Sequence, residues 1–391
     1  MKARAVDVAI VGASLGGASA ARRLAQRGLS VALFDRVAFP RRKACGEGLS
    51  IQGIDELGQL GLAEPLASLT AIPFYGFRFF EKRKQSEIVL HPHTHGIGVR
   101  RSDLDRLLAA SAQQSGASVH VGGDVKVCRR GLNEFWIETA DGSWRARYLV
   151  LATGANSALP ESLGVPTFSR RQSRCGLSIP LKYRNAHNQT TVDIFVNPKT
   201  QACSTPVDHE TTTLSLFCSN DEAKRLTPSQ IPFLVAEVCD RFGIEAYPSD
   251  TGLTVSGLGR VYRSSVHDSI FVIGDAYRQL DPIGGMGMTQ ALVTARLAAE
   301  TIVSLMNASD ARVPAILRDH EFKVHRAVRK LVGYTALTYW SLSTALGRRT
   351  LGTQKVGGLA REVLLSMHRP ARLRTPYGLI STLLIKSAGS W

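Results

Sequence analysis

Apolar positions follow two different rhythms along this chain. VDVAIVG (6–12) and LSVALFDR (29–36) are nearly unbroken apolar runs rich in β-branched residues, the signature of strands buried on both faces of a parallel sheet. Between them, GGASAARRLAQRG sets Ala20, Ala21, Leu24 and Ala25 on one helical stripe and Arg22, Arg23, Gln26 and Arg27 outside it, with Gly28 closing the helix. RRSDLDRLLAASAQQSG predicts a helix from Ser102, capped by that hydroxyl or by Asp103. ASVHVGGDVKV reads as a strand pair. FWIETADGSWRARYLVLATG reads as a strand, an Asp-Gly turn, a strand, and then a buried strand, Tyr148–Ala152, running into a glycine turn.

Residues 171–254 change rhythm. CGLSIPLKY, TTVDIFV, QACSTPV and TTTLSLFC predict successive strands of a mostly antiparallel sheet, followed by a helix from Pro228 to Phe242. The first rhythm then returns in SIFVIGDA (269–276), a buried strand, and in DPIGGMGMTQALVTARLAAETI, a glycine-rich turn feeding a long helix. The expected fold is α/β with an α+β insert. A Rossmann-like nucleotide domain is built from 1–72, 96–170 and 255–310, a substrate-binding sheet domain from 73–95 and 171–254, and a basic C-terminal helical lid from 311–391. No internal repeat interrupts this order.

A chain of 391 residues with 44% hydrophobic and 20% charged residues reads as an ordinary soluble enzyme. Its net charge of +16 is uneven, because residues 311–391 carry 14 Lys and Arg against 3 Asp and Glu. Such a tail fits a solvated surface, an anionic membrane surface or an acidic partner. No nucleic-acid-binding signature accompanies it, so nucleic acid is not an expected partner. Six cysteines (45, 128, 175, 203, 218, 239) without a C-x-x-C pair read as reduced thiols, and MKARAVDVAIVGAS lacks the apolar core of a secretory signal. Both features predict a cytoplasmic protein, with peripheral membrane contact left open. LVGYTALTYWSLSTALG (331–347), flanked by Arg329-Lys330 and Arg348-Arg349, falls short of the roughly 20 apolar residues a spanning helix needs. It is expected to form a buried or lid helix, a theme that LRTPYGLISTLLIK (373–386) repeats.

The chemistry starts at VGASLGG, Val11–Gly17. It nearly spells G-x-G-x-x-G, with Ser14 where the second glycine lets the backbone approach a pyrophosphate. Serine is small enough to turn away, so a shifted but working loop is expected. Asp35, ending the next strand, stands where an acid binds adenosine ribose hydroxyls. At the other end of the chain, Gly274-Asp275 and PIGGMGM place an acid and a helix N-terminus together, a site for electron-rich oxygens. Two such sites fit one long, two-ended cofactor.

The ordered set VGASLGG…FDR, VRRSDLDRLL, YLVLATGANS and VIGDAYRQLDPIGGMGM resembles the FAD-dependent superfamily of aromatic-ring hydroxylases, geranylgeranyl reductases and flavin-dependent halogenases, over roughly residues 6–305. FPRRKACGEGLS (39–50) most resembles the geranylgeranyl reductase branch. The resemblance implies the para-hydroxybenzoate hydroxylase type of fold, FAD as cofactor, and NAD(P)H or a separate flavin reductase as electron donor. Residue by residue it implies that Gly12, Ser14, Leu15, Gly17, Asp35 and Arg36 hold the adenosine half and pyrophosphate. Arg101 or Arg100 reaches the pyrophosphate, and Val125 meets adenine through its backbone. Thr153 and Gly154 form the adjoining turn, and Cys45 and Gly46 lie beside the flavin. Gly274 and Asp275 take the ribityl chain; Pro282, Gly284, Gly285, Met286, Gly287 and Met288 line the isoalloxazine, with backbone N–H groups near its pyrimidine carbonyl.

The implied activity is FAD-dependent oxidoreduction, first of all a monooxygenase acting through a flavin C4a-hydroperoxide on a hydrophobic or aromatic small molecule, free or carried by an acyl carrier protein. Reduction of an isoprenoid-type double bond, halogenation, and a membrane-peripheral flavin-binding protein are the alternatives. Two departures bear on the choice. Thr153 stands where ring hydroxylases carry Asp-Gly, and QACSTPV (201–207) keeps Pro206 but lacks the aromatics of the halogenase W-x-W-x-I-P and the reductase Y-x-W-x-F-P patterns. Lys43 and Lys182 are the nearest candidates for a halogenase lysine. Cys45, Tyr277, Arg278 and Gly285 are candidates for lining flavin or substrate, Tyr277 and Arg278 equally for capping their turn. HPHTH puts His91, His93 and His95 on one face of an expected strand, where they could meet substrate or simply face solvent; no metal is expected.

Overall fold

The computed structural model describes residues 3–343 apart from 82–83, 90–94, 130–133, 185–188, 197–200, 220, 222–226, 228, 243 and 249–253. The apolar runs form the expected parallel sheet, in the order Val266–His267, Ile270–Val272, Gly142–Leu151, Arg4–Val11, Val31–Asp35, Ser118–Val121, with Val266–His267 antiparallel at one edge. Both faces are covered, which is why these strands alternate so little. Val8, Ile10, Leu33 and Val150 face the helices Leu15–Ala25, Arg101–Gln114 and Gly287–Met306. Ala9, Phe34, Leu149 and Val272 face a second core that takes Val324 and Val328 from the last helix, Val313–Ser343.

Two local expectations change. Ser118–Val121 and Lys126–Arg129 are both strands but do not pair with each other. The first joins Val31–Asp35 in parallel, and the second pairs with Phe135–Thr139. The two strands read after the Asp-Gly turn are one ten-residue strand, Gly142–Leu151, whose first half pairs back on Phe135–Thr139 while Trp144 to Leu151 run along Arg4–Val11. An edge hairpin and a central strand thus share one piece of chain, and periodicity alone does not separate them.

The insert is an eight-stranded sheet among the described residues, in the order Ala246–Pro248, Thr167–Tyr183, Thr211–Ser219, Gln201–Pro206, Thr191–Val196, Gly76–Glu81, Lys84–Val89, with Thr254–Arg263, the eighth strand, also on Thr167–Tyr183. All its pairs are antiparallel except Thr191–Val196 with Gly76–Glu81. Thr167–Tyr183 neighbours Thr211–Ser219, not the next strand in sequence. Ala71–Phe74 belongs to a small three-stranded sheet with Gly48–Leu49 and Gly96–Val99, so the insert sheet begins at Gly76. One insert face is sealed: Leu177, Ile179, Leu214, Leu216 and Phe195 pack under the helix Ile231–Phe242.

Residues 331–343 are the end of the 31-residue helix Val313–Ser343, and 373–386 lie outside the described residues. Among the described residues, no helix is long and apolar enough to cross a membrane. Upstream on the same helix, His320 is 1% exposed against the Phe271 ring, with Nδ1 2.9 Å from Thr301 Oγ1. Burial pulls its pKa down to about 4. The unfolded chain therefore takes up a proton near pH 6.5 that the folded chain refuses until about pH 4. Stability from this group is complete above pH 6.5 and is lost as pH falls toward 4, by about 3 kcal/mol. Urea unfolding between pH 7 and 4 should show that slope in the wild type and lack it in His320→Gln.

Candidate functional site

The Gly12–Gly17 turn is shaped by contact. Gly12 has φ +106°, and a Cβ there would lie 2.3 Å from Ala152 O. A Cβ on Gly17 would lie 1.8 Å from Gly12 O. Helix Leu15–Ala25 starts directly from this turn with no side-chain cap and no acid in its first turn, so its free N–H groups are left for an anion. Asp35 closes the turn from the neighbouring strand: Oδ2 accepts from Ala13 N at 2.7 Å and Oδ1 from Val37 N at 3.0 Å, while Arg41 pairs with Oδ1 at 2.7 Å. A carboxylate has about four acceptor positions, so one remains for a ribose hydroxyl. Arg36 is exposed, and Val125 is half-buried, packed against the second core.

Ser14 does turn away. Its hydroxyl donates to Asp105 Oδ2 at 3.1 Å and accepts from Arg101 Nη2 at 2.7 Å. Arg101 is itself buried and paired with Asp105 at 3.0 Å across one helical turn. Burial opposes the guanidinium charge, but Asp105 and Cys45 more than compensate and hold its pKa above the ordinary value. Arg100 faces elsewhere: it pairs with Asp208 and donates to Thr211 Oγ1 at 2.7 Å, tying the helix start to the insert sheet. Only Arg101 of the two stands at the glycine turn.

The 39–50 segment bridges the two sheets. Cys45 N donates to Ser178 Oγ at 3.0 Å. Glu47, held at φ +57°, accepts from Arg101 N at 2.9 Å and from Thr213 Oγ1 at 2.5 Å. Lys43 is solvent-accessible, yet the protein walls around it and the Arg101 charge lower its pKa, against Asp275, Asp105 and Cys45. The two turns are neighbours: a Cβ on Gly16, in the first, would lie 3.4 Å from Ile273 Cδ1 and from Ala291 O, at the strand end and helix that carry the second.

At the second end, Gly274 has φ +58°; its N–H donates to Thr294 Oγ1 at 2.9 Å and its carbonyl accepts from Gln290 Nε2 at 3.0 Å. Asp275 follows, half-buried, in the turn Gly274–Ala276. The short turn Pro282–Gly284 ends on Gly285 at φ +64°, and Gly287 opens the 20-residue helix Gly287–Met306. A Cβ on Gly154, Gly285 or Gly287 would meet no atom within 4 Å, so all three border open space. Thr153 Oγ1 is buried without a hydrogen-bond partner, next to the residue Gly12 crowds. An orphan hydroxyl at one turn, open backbone at the other and two free helix N-termini are the donor set a two-ended, electron-rich dinucleotide requires. The second turn is roofed by the last helix: Leu331 and Tyr334 cluster with Leu280 and Met286, and a Cβ on Gly284 would lie 2.5 Å from Thr335 Oγ1.

The open face of the insert sheet meets this turn. Phe74, Val192, Ile194 and Phe217 cluster with Ile283, and Phe77, Phe79 and Cys203 pack against them. Counting back from Pro206, the two tryptophan positions of the halogenase pattern fall on Gln201 and Cys203. Both share a face with Phe217 and Ser215, their register partners. Smaller side chains there leave the face less filled beside Ile283.

Other candidates lie apart. Tyr277 is 2% exposed in the second core, tilted 5.6 Å from the Tyr262 ring. The Arg278 guanidinium stacks over that same ring at 5.4 Å, so both residues fit the turn-capping reading. Lys182 pairs with Glu210 at 3.2 Å. His95 is exposed beside Tyr75, while His91 and His93 lie outside the described residues. A cavity of about 1130 Å³ between helix Ile51–Gly58 and the last helix, lined by Leu66, Ile97, Val293 and Leu331 among others, touches none of the glycine turns. Sequence reasoning missed Asp105 and Arg263. Asp105 carried a faint signal, four residues after Arg101 on one helix, whereas no local pattern marks Arg263.

The family model described as FAD binding domain matches residues 5–332. The chain is 25% identical over 384 residues to a menaquinone reductase of Mycobacterium tuberculosis, covering 92% of this chain and 91% of the relative. It is 29% identical over 155 residues to a rifampicin monooxygenase of Rhodococcus hoagii, covering 39% of this chain and 32% of that protein. Among solved structures, the flavin-dependent brominase Bmp2 superposes with a TM-score of 0.81 at 19% identity, covering 99% of this chain and all of that one. This last likeness is one of fold.

Proposed function

The chain belongs to the FAD binding domain family and is an FAD-dependent oxidoreductase; from that premise we propose that it reduces a carbon–carbon double bond in an apolar, isoprenoid-type substrate. The observation that carries this reading is the 39–50 segment. Cys45 and Glu47 bolt it between the Arg101 end of the cofactor site and the insert sheet, and the sheet face beyond it is aromatic and aliphatic. The similarity to a menaquinone reductase spans almost the whole chain, whereas the similarity to a monooxygenase is confined to a part of it, and both facts support reduction.

FAD, when bound, supplies two-electron transfer next to its isoalloxazine ring. The chain's own residues do the rest. Gly12 and Gly17, with the N-terminus of helix Leu15–Ala25, would hold the pyrophosphate, and Asp35 the ribose. Gly274–Asp275 would hold the ribityl chain, and the 282–288 turn the ring. The last helix excludes water from that turn through Leu331 and Tyr334. NAD(P)H or a separate flavin reductase would supply the electrons. The exposed Arg318, Lys323, Arg326 and Lys330 of the same helix support docking on an anionic membrane, where an isoprenoid substrate would be found.

The competing reading is monooxygenation of an aromatic substrate, favoured by the likeness to the rifampicin monooxygenase. The holoenzyme, reduced under strict anaerobiosis and mixed with a prenylated quinone or a geranylgeranyl lipid, should reoxidise and yield product two mass units heavier, a gain that persists after any quinol is reoxidised in air. If reoxidation requires oxygen and labelled oxygen enters the product, the reductase assignment is wrong.

A further inference from the structure

The open face of the insert sheet is graded. Residues that pair across antiparallel strands share a face, so one rung reads Ser178, Ser215, Cys203, Ile194 and then Phe79. The neighbouring rung reads Thr213 and Thr205, then Val192 and Phe77. In these two rungs one side of the face is hydroxyl and thiol and the other aromatic and aliphatic, and Phe217, one rung beyond Ser215 on its strand, adds an aromatic ring next to them. The apolar side clusters with Ile283 of the glycine-rich turn, and Cys203 sits at the boundary, packed against that cluster.

The polar side is not fully used. Ser178 is bonded to Cys45 N and Thr213 to Glu47. Ser215, 2% exposed, has only the neighbouring Cys203 thiol as a partner for its hydroxyl, which lies 3.5 Å from where a Cβ on Gly46 would stand. A thiol is a weak partner, so the hydroxyl keeps hydrogen-bonding capacity that a ligand oxygen would take up. Its neighbour Cys203 is half-buried, and burial pushes that thiol up to about 12, so it stays a neutral S–H donor.

We infer that Ser215 and Cys203 form a head-group subsite that takes a neutral oxygen, a carbonyl or hydroxyl, of a substrate whose apolar part lies along Phe77, Phe79, Val192, Ile194 and Phe217. This deepens the reductive reading above and rests on it for the word substrate. The subsite carries no charge of its own, so it selects a quinone- or enone-like head over a carboxylate or phosphate. Ser215 and Cys203 are specificity residues on this view: they fix which end of an amphipathic molecule meets the Cys45–Gly46 loop.

The test is equilibrium binding to oxidised holoenzyme, read as the perturbation of flavin absorbance or fluorescence, with three probes. These are 2-methyl-1,4-naphthoquinone, the same ring system without oxygens as 2-methylnaphthalene, and 2-naphthoate. The quinone should bind at least about 10-fold more tightly than either of the others. Ser215→Ala should remove most of that preference while leaving 2-methylnaphthalene unchanged. Cys203→Val, a change of similar volume, should reduce it in the same direction and guards against a folding defect in the first variant. Equal affinities for the three probes, tighter binding of naphthoate, no binding of the quinone, or equal weakening of all probes by Ser215→Ala would each overturn the subsite. Should the quinone preference hold while anaerobic turnover fails, the subsite stands and the reductase reading falls.

Discussion

Gly17→Ala is expected to yield a protein that does not retain FAD. The added Cβ would stand 1.8 Å from the Gly12 carbonyl oxygen and 3.2 Å from Ala152 Cβ. The first obstacle is backbone, so no rotamer change relieves it. Either helix Leu15–Ala25 lifts from the sheet, or the end of strand Arg4–Val11 moves. The helix buries Ala18, Ala20, Ala21 and Leu24 completely against that sheet, so lifting it costs about 1–3 kcal/mol or more. Both routes widen the turn that the pyrophosphate would occupy, and retention should fall at least 10-fold, on the order of 1.4 kcal/mol. The flavin-to-protein absorbance ratio after gel filtration measures this. Gly28→Ala is the control. Its φ of +81° makes alanine strained, but nothing lies within 4 Å, so about 1 kcal/mol of stability should go while FAD stays. Wild-type FAD content and thermal midpoint in Gly17→Ala would defeat the claim that this contact shapes the site.

Arg263→Met is expected to damage both ends of the cofactor cleft at once. Arg263 is 2% exposed, and its guanidinium donates to Ala276 O at 2.7 Å, Ala155 O at 3.3 Å, Ser157 O at 3.1 Å and Glu161 Oε1 at 2.9 Å. Ala276 ends the Gly274–Ala276 turn, while Ala155 and Ser157 follow Thr153–Gly154. One side chain thus clamps the loop after the central strand to the loop that would hold the ribityl chain. Methionine fills the space but leaves the carbonyl of buried Ala276 and those of half-buried Ala155 and Ser157 without this donor, at a cost of about 1–3 kcal/mol. In a chain of this size that lowers the thermal midpoint by roughly 1–4 °C. Added FAD should also raise the midpoint less than in the wild type, because the slackened turns bind it more weakly. Arg263→Lys reaches fewer acceptors and should fall between the two. A variant as stable as wild type, with full FAD response, would remove Arg263 from this role.

The parallel core was legible because its strands are buried on both faces, and continuous apolar runs such as VDVAIVG have few other uses. The two glycine turns were legible because their shapes demand glycine, and Ser14 was legible as an exception small enough to turn aside. What it turns toward was not: the Arg101–Asp105 pair comes from a helix that begins 87 residues later in the chain. Arg263 shows the same limit, since its partners are carbonyl oxygens, which no residue type advertises. The insert's strands were readable as strands, but their order was not. Thr191–Val196 pairs in parallel with Gly76–Glu81, more than a hundred residues earlier, and such a crossing leaves no periodic trace. That order, and not any motif, puts Ser215 beside Cys203, with Ile194 and then Phe79 beyond them on the same rung.

Strand Ile270–Val272 lies beside Leu149–Leu151 in the parallel sheet. While the chain is being made, the inner edge of Leu149–Leu151 therefore waits for its neighbour through the synthesis of the whole insert. At about 5–20 residues per second that interval is roughly 6–24 seconds. The insert sheet, complete once Arg263 has emerged, is able to close before the domain that houses it. A host assembled around an already folded guest exposes an unpaired hydrophobic edge for seconds, an opening for chaperone capture or aggregation. Yield in a heterologous host should then depend more on translation speed through residues 171–263 than on the stability of the finished protein.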